Sequence, residues 1–473
     1  MESSHTFRQM EVEALDQRLS YLPEADIQYL TSAGNGQHEI LRRCCLGILH
    51  TGTDNDSTAE LLERYPKFNV HIDRTRDSIK FVLENGPLSA FIDGQRIHAA
   101  MREHLCSAAI DLIFHARAIG TPMGRQEITD AIFRILDHAS VFQLIPPVAD
   151  PFKRVENSRY ELTRITCFGG HTMKPQSEEY TYVKRVCQQL AERFCEFITG
   201  GGQGAMRATF SGAKAGYTFE RITNARAFGF NCPGIITSEP PNLHVRPLVI
   251  LPDIEKRLEA FIRASMGCIV FPGGPGTAEE IQTILSVLLH KENRDQVYPI
   301  ILTGPESSRG YFEAIDTFIM KTVGRDAIRE PEPLYEIIIG DPERVAQRMM
   351  AAIGRTENCR SEHDDPKLWY RSLYLPEEVQ QPFNPTHENV AKLEINRDQS
   401  PYALCAQLRK LFSAVVYGNV TDEGVKSIRE NGPYELRGDP AMMQEVSTLL
   451  ERFVAERRMK IEGEYKPCYK VVA

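Results

Sequence analysis

Residues 268–285 read CIVFPGGPGTAEEIQTIL and join two patterned segments through a loop with three glycines. The apolar run at residues 268–271 is typical of a parallel strand that is covered on both faces. Residues 278–285 carry apolar side chains at helical spacing, so the loop opens directly into a helix. In open α/β sheets, ligands bind beyond the carboxyl ends of the strands. This stretch therefore predicts an α/β fold with a ligand site at the turn.

The same alternation recurs through the middle of the chain. Amphipathic stretches, such as the predicted helix at residues 178–194, separate short apolar runs at residues 163–168, 196–199, 247–251 and 298–302. This alternation predicts repeated βα units. We therefore expect a Rossmann-like parallel sheet with helices on both faces.

Two proline-bearing stretches divide the chain. Residues 144–148 read LIPPV and residues 361–366 read SEHDDP, and prolines of this kind interrupt regular structure. A chain of 473 residues also exceeds the roughly 250–300 residues of a single core. The sequence predicts an N-terminal accessory domain (1–150), a Rossmann-like catalytic domain (151–355) and a C-terminal accessory domain (356–473). The flanking domains are expected to be α+β or mostly helical.

Composition and charge exclude several classes of protein. The chain is 42% hydrophobic and 25% charged, as in a folded globular protein. Its formal net charge of −9 argues against nucleic acid as a partner, which requires a basic face. No apolar run approaches the about 20 residues of a membrane span, and residues 1–5 lack signal-peptide features. The eleven cysteines contain no Cys-x-x-Cys pair, so we expect reduced core thiols and a cytoplasmic protein.

Glycines follow two further predicted strands. Gly169 and Gly170 come after the run at residues 163–168, and Gly201 and Gly202 come after the run at 196–199. A single glycine after a strand is usually only a turn. Several glycines, each at the carboxyl end of a parallel strand, predict a shared binding crevice.

The third loop is the most informative, because Gly273, Gly274 and Gly276 let the backbone approach a ligand closely. The first N–H groups of the following helix, with the positive end of its dipole, would face a phosphate. Thr277 is predicted to be the N-cap of that helix and to donate its hydroxyl. A tight strand-to-helix turn without a ligand is the plainer alternative.

The sequence patterns of these loops disfavour some phosphate-containing ligands but do not identify a single one. The P-loop pattern Gly-x-x-x-x-Gly-Lys-Ser/Thr is absent from the third loop, which disfavours ATP hydrolysis. Gly200-x-Gly202-x-x-Ala205 fits the looser dinucleotide fingerprint, with Glu220 twenty residues on. The segment between them is short for a helix and a full second strand. A nicotinamide-dependent oxidoreductase therefore stays open as an alternative.

A second helix is predicted to bring a cation to the same sheet edge. Asp253 follows an apolar run and is the expected N-cap, while Ile254, Leu258 and Phe261 mark the buried face. Arg257 would lie in the first turns of this helix. A solvated surface arginine is an equal alternative.

Glu280 lies one turn inside the helix that follows the third loop. A carboxylate beside a bound sugar phosphate can stabilise positive charge at an anomeric carbon or orient the attacking water. The neighbouring Glu279 is expected only to complement the helix dipole. No His or Cys cluster has metal-ligand spacing and no Ser-His-Asp order is recognisable, so metal chemistry and acyl transfer have no support.

Residues 272–280, PGGPGTAEE, resemble the Pro-Gly-Gly-x-Gly-Thr-x-x-Glu signature of the LOG (Lonely Guy) family of nucleotide phosphoribohydrolases. The catalytic arginine of that family stands fifteen residues before the proline of the signature, which corresponds to Arg257, and its catalytic glutamate corresponds to Glu280. Residues 169–171 and 200–206 are similar to its other glycine-rich stretches. Some members carry an older label of lysine decarboxylase, but no pyridoxal phosphate lysine is suggested here and no cofactor is expected.

With its flanking regions, the whole chain looks more like the long bacterial pyrimidine/purine nucleotide 5'-monophosphate nucleosidases. That resemblance implies hydrolysis of nucleoside 5'-monophosphates to a free base and ribose 5-phosphate, and a homo-oligomer (dimer or tetramer). It also implies control of some members by guanosine tetra- and pentaphosphate. Residues 254–258, IEKRL, depart from the Met-His-x-Arg-Lys of short LOG members, so base preference does not carry over. A nucleotide-binding or sensing protein without turnover is the other class left open.

Overall fold

A computed structural model describes residues 6–14, 16, 19–20, 22–32, 36–53, 58–119, 123–137, 163–223, 225–365, 369–459 and 466–472. The predicted linker at 144–148 lies outside these residues. These residues form two compact units. The first unit draws on Met1–Arg159, Gly200–Gln203 and Arg226–Arg257, and the second on Tyr160–Thr199, Gly204–Ala225 and Leu258–Ala473. The division into three domains stays a prediction.

The strands, in chain order, are β1 (Gln9–Glu13), β2 (Asn69–Arg74), β3 (Ile79–Glu84), β4 (Phe91–Ile92), β5 (Arg96–Ile97), β6 (Thr163–Phe168), β7 (Cys195–Thr199), β8 (Ala227–Asn231), β9 (Leu248–Ile250), β10 (Cys268–Val270), β11 (Ile300–Gly304), β12 (Glu336–Ile339), β13 (Tyr434–Arg437) and β14 (Tyr469–Val472).

The α-helices are α1 (Glu24–Thr31), α2 (Gln37–Ile48), α3 (Thr58–Arg64), α4 (Ala99–Ala118), α5 (Arg125–Leu136), α6 (Glu178–Ala191), α7 (Ala205–Phe219), α8 (Ile254–Arg263), α9 (Pro275–Leu288), α10 (Arg309–Ile319), α11 (Arg325–Arg329), α12 (Pro342–Glu362), α13 (Glu377–Gln380), α14 (His387–Ala391), α15 (Pro401–Val420), α16 (Asp422–Asn431) and α17 (Pro440–Ala455). None of the helices in the described part of the chain is long and apolar enough to cross a membrane.

The second unit is built on a parallel sheet with helices packed around it, so the predicted α/β class is confirmed. Within the second unit the strand order is β12-β11-β10-β6-β7, and within the first unit β8 pairs with β9 in parallel. The apolar runs predicted as strands form β6, β7, β9, β10 and β11, with ends within two residues of those predicted. Every residue of β10 is fully buried, as expected for a strand covered on both faces.

The register of β10 brings two of the predicted glycine turns together. Val270 on β10 lies opposite Phe168 on β6, and both strands run in the same direction. Their carboxyl ends therefore lie side by side, and the residues that follow each strand emerge at one edge of the sheet. This pairing is the part of the fold that positions the site.

The regions outside the sheet are α+β and mostly helical. The first unit contains an antiparallel sheet in the order β1-β3-β2, and helix α4 lies in the same unit. Near the C-terminus, β13 and β14 form a parallel pair among helices α15 to α17. All eleven cysteines are buried thiols, which confirms that they belong to the core rather than to a disulfide framework.

Helix α12 extends into the proline-bearing stretch at residues 361–366. At its start, the Asp341 side chain accepts a hydrogen bond from the N–H of Arg344, and a proline occupies the first turn. Buried side chains then recur at helical spacing through Ile353, Thr356 and Cys359. The helix therefore includes the first two residues of the stretch 361–366, which is not a linker from its start; Pro366 lies outside the described residues.

Candidate active site

The turn after β6 and the turn after β10 pack backbone against backbone in the second unit. The N–H of Gly170 donates to the carbonyl of Pro272 at 3.0 Å, and a Cβ on Gly170 would lie 3.2 Å from the Cα of Gly273. Helix α7 begins against the same turn, since the N–H of Ala205 donates to the Gly170 carbonyl at 3.0 Å. A Cβ on Gly169 would lie 2.7 Å from the Cβ of Ala205. The glycines are needed here because the chains approach too closely for a side chain.

Helix α9 begins earlier than the sequence predicts. Its N-cap is Gly274 and its first residue is Pro275, so the prediction that Thr277 is the N-cap is wrong. Proline is well suited to the first helical position, because its fixed φ fits the helix and its missing N–H is not needed there. Thr277 instead occupies the third helical position and packs against Gly273, where an added Cβ would lie 2.1 Å from Thr277 Oγ1.

The start of α9 still offers donors to an anion. The N–H groups of Gly276 and Thr277 lie in the first turn, where no acceptor within the helix can reach them. The dipole of the helix adds partial positive charge at the same place. By contrast, the N–H of Gly273 already donates to the hydroxyl of Tyr311 at 3.1 Å. The N–H groups at the start of α9, rather than that of Gly273, are therefore the candidates for binding an anion.

A segment near the C-terminus covers this loop, which no local sequence pattern indicates. A Cβ on Gly274 would lie 2.1 Å from the carbonyl oxygen of Arg458. The Arg458 guanidinium lies 4.5 Å from the centroid of the Tyr311 ring and pairs with Glu179 at 2.8 Å and Glu456 at 2.6 Å. Burial raises the pKa of Tyr311 to about 12, so its hydroxyl stays neutral. These contacts pack the segment at Arg458 against the loop after β10.

The two glutamates on α9 have different surroundings. Glu280 is half-buried, and its charge adds to the effect of burial in raising the pKa of the Cys268 thiol. Glu279 is buried and its Oε1 lies 3.5 Å from Nη1 of Arg409 on α15. The prediction that Glu279 only complements the helix dipole is therefore wrong, because it forms a buried ion pair.

In the first unit, Arg257 is a buried residue with defined partners. Its Nε donates to the carbonyl of Phe230 at 2.8 Å, and its Nη2 lies 3.8 Å from Oε2 of Glu239. The residue is 8% exposed, so the surface-arginine interpretation is wrong. Asp253 is the expected cap, since its side chain accepts from the N–H of Lys256 at 2.9 Å.

The buried face of α8 is wider than the predicted one. Leu258 and Phe261 are buried as expected, but Ile254 is only half-buried. The polar residues Glu255 and Lys256 are buried as well, at 3% and 4% exposure. Apolar periodicity identifies only part of this face, because ion pairs such as that of Lys256 with Asp253 at 2.6 Å allow charged side chains to be buried too.

Gly201 and Gly202 lie in the first unit and are fixed by a buried asparagine. The Nδ2 of Asn242 donates to the carbonyl of Gly201 at 2.9 Å and to that of Gly202 at 2.7 Å. Gly201 has a φ of +80° and a Cβ there would lie 3.2 Å from the Cα of Gly229, so this position requires glycine. Asn231, at the end of β8, holds the preceding carbonyl of Gly200 through its Nδ2 at 3.4 Å.

The structure thus places the predicted site residues in two groups. The second unit brings one group to the carboxyl ends of β6 and β10, namely Gly169, Gly170, Gly273, Gly274, Gly276, Thr277 and Glu280. The first unit holds Gly201, Gly202 and Arg257. Among the described residues, no group of His, Cys, Asp and Glu could hold a metal ion.

The position of Glu220 contradicts the interpretation of residues 200–205 as a dinucleotide-binding fingerprint. A ribose-binding acidic residue should follow a second strand. Glu220 is instead the C-cap of α7, and the next strand, β8, begins at Ala227. The segment after Gly202 is a single helix, so a nicotinamide site of that type is absent from these residues.

A parallel α/β sheet with glycine turns at its strand ends and N–H groups at a helix start is the architecture of α/β proteins that bind phosphate esters. Family models match three parts of the chain. Their descriptions are "Pyrimidine/purine nucleotide 5'-monophosphate nucleosidases" for residues 11–119, "Possible lysine decarboxylase" for residues 212–349 and "Pyrimidine/purine nucleotide monophosphate nucleosidase, C-terminal" for residues 353–472.

The chain is also 37% identical over 449 residues to the pyrimidine/purine nucleotide 5'-monophosphate nucleosidase of Escherichia coli K12, covering 93% of this chain and 94% of that protein. The protein of strain O157:H7 matches equally well. A molybdenum cofactor binding protein from Rippkaea orientalis aligns with a TM-score of 0.29 at 18% identity, covering 41% of this chain and 98% of that one. The chain belongs to the family of pyrimidine/purine nucleotide 5'-monophosphate nucleosidases, and the resemblance in the sequence is confirmed.

Proposed function

We propose that this chain hydrolyses the N-glycosidic bond of nucleoside 5'-monophosphates and releases the free base and ribose 5-phosphate. Family membership supports an enzyme of this class. The observation that carries the assignment is the order of groups along α9. The N–H groups of Gly276 and Thr277 can bind an anion at the start of the helix. Glu280 follows Thr277 within about one helical turn, which corresponds to about 5.4 Å along the helix axis. That spacing suits a ribose whose 5'-phosphate and C1' must be held together.

In the proposed reaction, the bond between C1' and the base nitrogen breaks and a water oxygen bonds to C1'. The base leaves with the electron pair of the bond and takes a proton. Positive charge builds on the ribose before the water adds, and a fixed carboxylate stabilises that charge without reorganising. Glu280 is the group proposed for this role. Arg257 is proposed to bind and orient the nucleotide.

Several finer expectations stay predictions. They are a homo-oligomer, control by guanosine tetra- or pentaphosphate, a cytoplasmic location and the absence of a cofactor. They rest on the family resemblance or on composition, and the preferred base is not predicted.

A direct assay tests the proposed reaction. The protein is incubated with AMP, GMP, CMP, UMP and IMP, and the products are separated by chromatography. We expect free base and ribose 5-phosphate in equal amounts from at least one nucleotide. Binding of nucleotides without release of base from any of them would leave the sensing protein as the correct alternative.

Substitutions at two glycines of this turn test whether the N–H groups at the start of α9 bind the phosphate. At Gly276 an added Cβ would meet only Val416 Cγ2 at 3.8 Å, so the fold has room for it. We expect Gly276→Ala to keep its thermal midpoint and to raise the KM for AMP about tenfold, because the methyl group obstructs a phosphate and weakens its charge-assisted hydrogen bonds.

The matched variant is Gly274→Ala, which would place its Cβ 2.1 Å from the Arg458 carbonyl. This variant is expected to lower the thermal midpoint as well as activity, because the segment at Arg458 must move. Thermal unfolding and Michaelis–Menten kinetics separate the two effects. An unchanged KM for AMP in Gly276→Ala would contradict the proposal that the start of α9 binds the phosphate.

A further inference from the structure

Helix α15 lies antiparallel along α9, the helix that carries Glu280. Three pairs of neighbouring residues define this arrangement along the length of α9. A Cβ on Gly276 would meet Val416, Glu279 pairs with Arg409, and the hydroxyl of Ser286 donates to the carbonyl of Tyr402 at 2.8 Å. The partner residue number falls as the α9 number rises, as an antiparallel pair requires. Residues of the C-terminal region therefore contact α9 from its start to its last turn.

The charged contact in the middle of this interface is fully buried. Arg409 is 0% exposed and the Glu279 side chain is 8% exposed. Breaking a buried pair by removing one partner is strongly unfavourable, since the other charge is then left in a medium of low dielectric.

A rotation of α9 about its axis moves Glu279 and Glu280 together. Consecutive residues of an α-helix are separated by about 100° around one rigid axis. If Glu279 loses its cation, it gains by turning toward water or by taking a proton. Rotation of α9 toward water would shift the Glu280 carboxylate away from the ligand held at the helix start.

We propose that Arg409 is a positioning residue for the nucleosidase reaction, because its pairing with Glu279 fixes the rotation of α9 and so the place of Glu280. This inference rests on the role proposed for Glu280. Arg409 touches neither substrate nor reacting atoms. Arg409 therefore affects kcat through the position of α9. The N–H groups proposed to bind the phosphate lie a turn away at the helix start, so KM should change less.

The test compares full-length Arg409→Met, Arg409→Lys, Glu279→Gln and Glu280→Gln, assayed with AMP at 25 °C. Thermal unfolding is recorded for each variant so that the assay is run well below every midpoint. We expect Arg409→Met to lower kcat at least tenfold and to change KM less than threefold. Arg409→Lys keeps the charge and should recover part of that kcat. Lys410→Met, which alters the neighbouring cation on α15, is the matched control and should behave as the unmodified protein.

Glu279→Gln keeps an oxygen for Arg409, so it provides the test if Arg409→Met does not fold. In that variant we expect kcat to fall at least threefold with little change in KM. A purely structural role would lower the thermal midpoint and leave kcat unchanged at 25 °C, which would overturn the inference. If Glu280→Gln is inactive while Arg409→Met and Glu279→Gln are normal, this inference alone fails. If Glu280→Gln keeps its activity, the role proposed for Glu280 fails instead.

Discussion

Glu280→Gln is expected to lower kcat for AMP about 10²–10³-fold, the usual cost of removing one preorganised electrostatic group from an active site. Glutamine has nearly the same shape as glutamate but cannot carry the negative charge that opposes an oxocarbenium-like ribose. Glu280 is half-buried at the second turn of α9, so the fold should accept the amide. KM should change little, because the proposed phosphate donors belong to Gly276 and Thr277.

The measurement is release of adenine from AMP, followed by chromatography under conditions where the unmodified protein is saturated. Glu292→Gln is the matched control, since Glu292 is exposed and lies just beyond the end of α9. The control should release adenine at the normal rate with a normal thermal midpoint. Adenine release by Glu280→Gln at a near-normal rate would rule out the proposed role of this carboxylate.

The parts of the fold that were predictable from sequence are those encoded in neighbouring residues. The run at 268–271, the glycines after it and the helical spacing beyond it are contiguous, and they form β10, the turn and α9 as expected. Parallel pairing of buried strands then brings the glycines after β6 to the same edge without further information. Periodicity and turn chemistry are sufficient for this level of structure.

The helix cap at this turn could not be inferred from residue preference alone. Thr277 offers a side-chain oxygen that can cap a helix and Gly274 offers none, although the two residue types are about equally common at the N-cap. Pro275 decides the outcome, because proline fits the first helical position and the residue before it becomes the cap. The competing signal was present in the sequence, but the two preferences have no fixed order of strength.

Contacts between distant residues had no signal in a single sequence. Glu279 and Arg409 are 130 positions apart, and Arg458 lies further still from Gly274. Neither spacing nor composition relates such positions, so Glu279 could be interpreted only through its own helix. Arg257 shows the same limit, because the carbonyl that accepts its hydrogen bond belongs to Phe230, 27 positions away.

Arg257→Met is expected to lower kcat/KM for AMP by about 10³-fold, since it removes both a charge and a planar set of donors. The side chain is fixed by the hydrogen bond from its Nε to the Phe230 carbonyl at 2.8 Å. In the proposed role, a guanidinium held in this way needs little reorganisation to bind an anionic or polar part of the nucleotide. Arg257→Lys should also be impaired, because a lysine ammonium cannot reproduce the fork of donors.

Arg246→Met is the matched control in the same unit, because the Arg246 side chain is 69% exposed. It should retain normal kinetics. Inhibition by the product ribose 5-phosphate then shows which part of the nucleotide Arg257 binds. If the guanidinium contacts the phosphate or ribose, Arg257→Met weakens this inhibition in proportion to the rise in KM. If it contacts the base, KM rises while the inhibition constant of ribose 5-phosphate stays the same. A variant with kcat and KM both within twofold of normal would mean that this buried arginine serves only the fold.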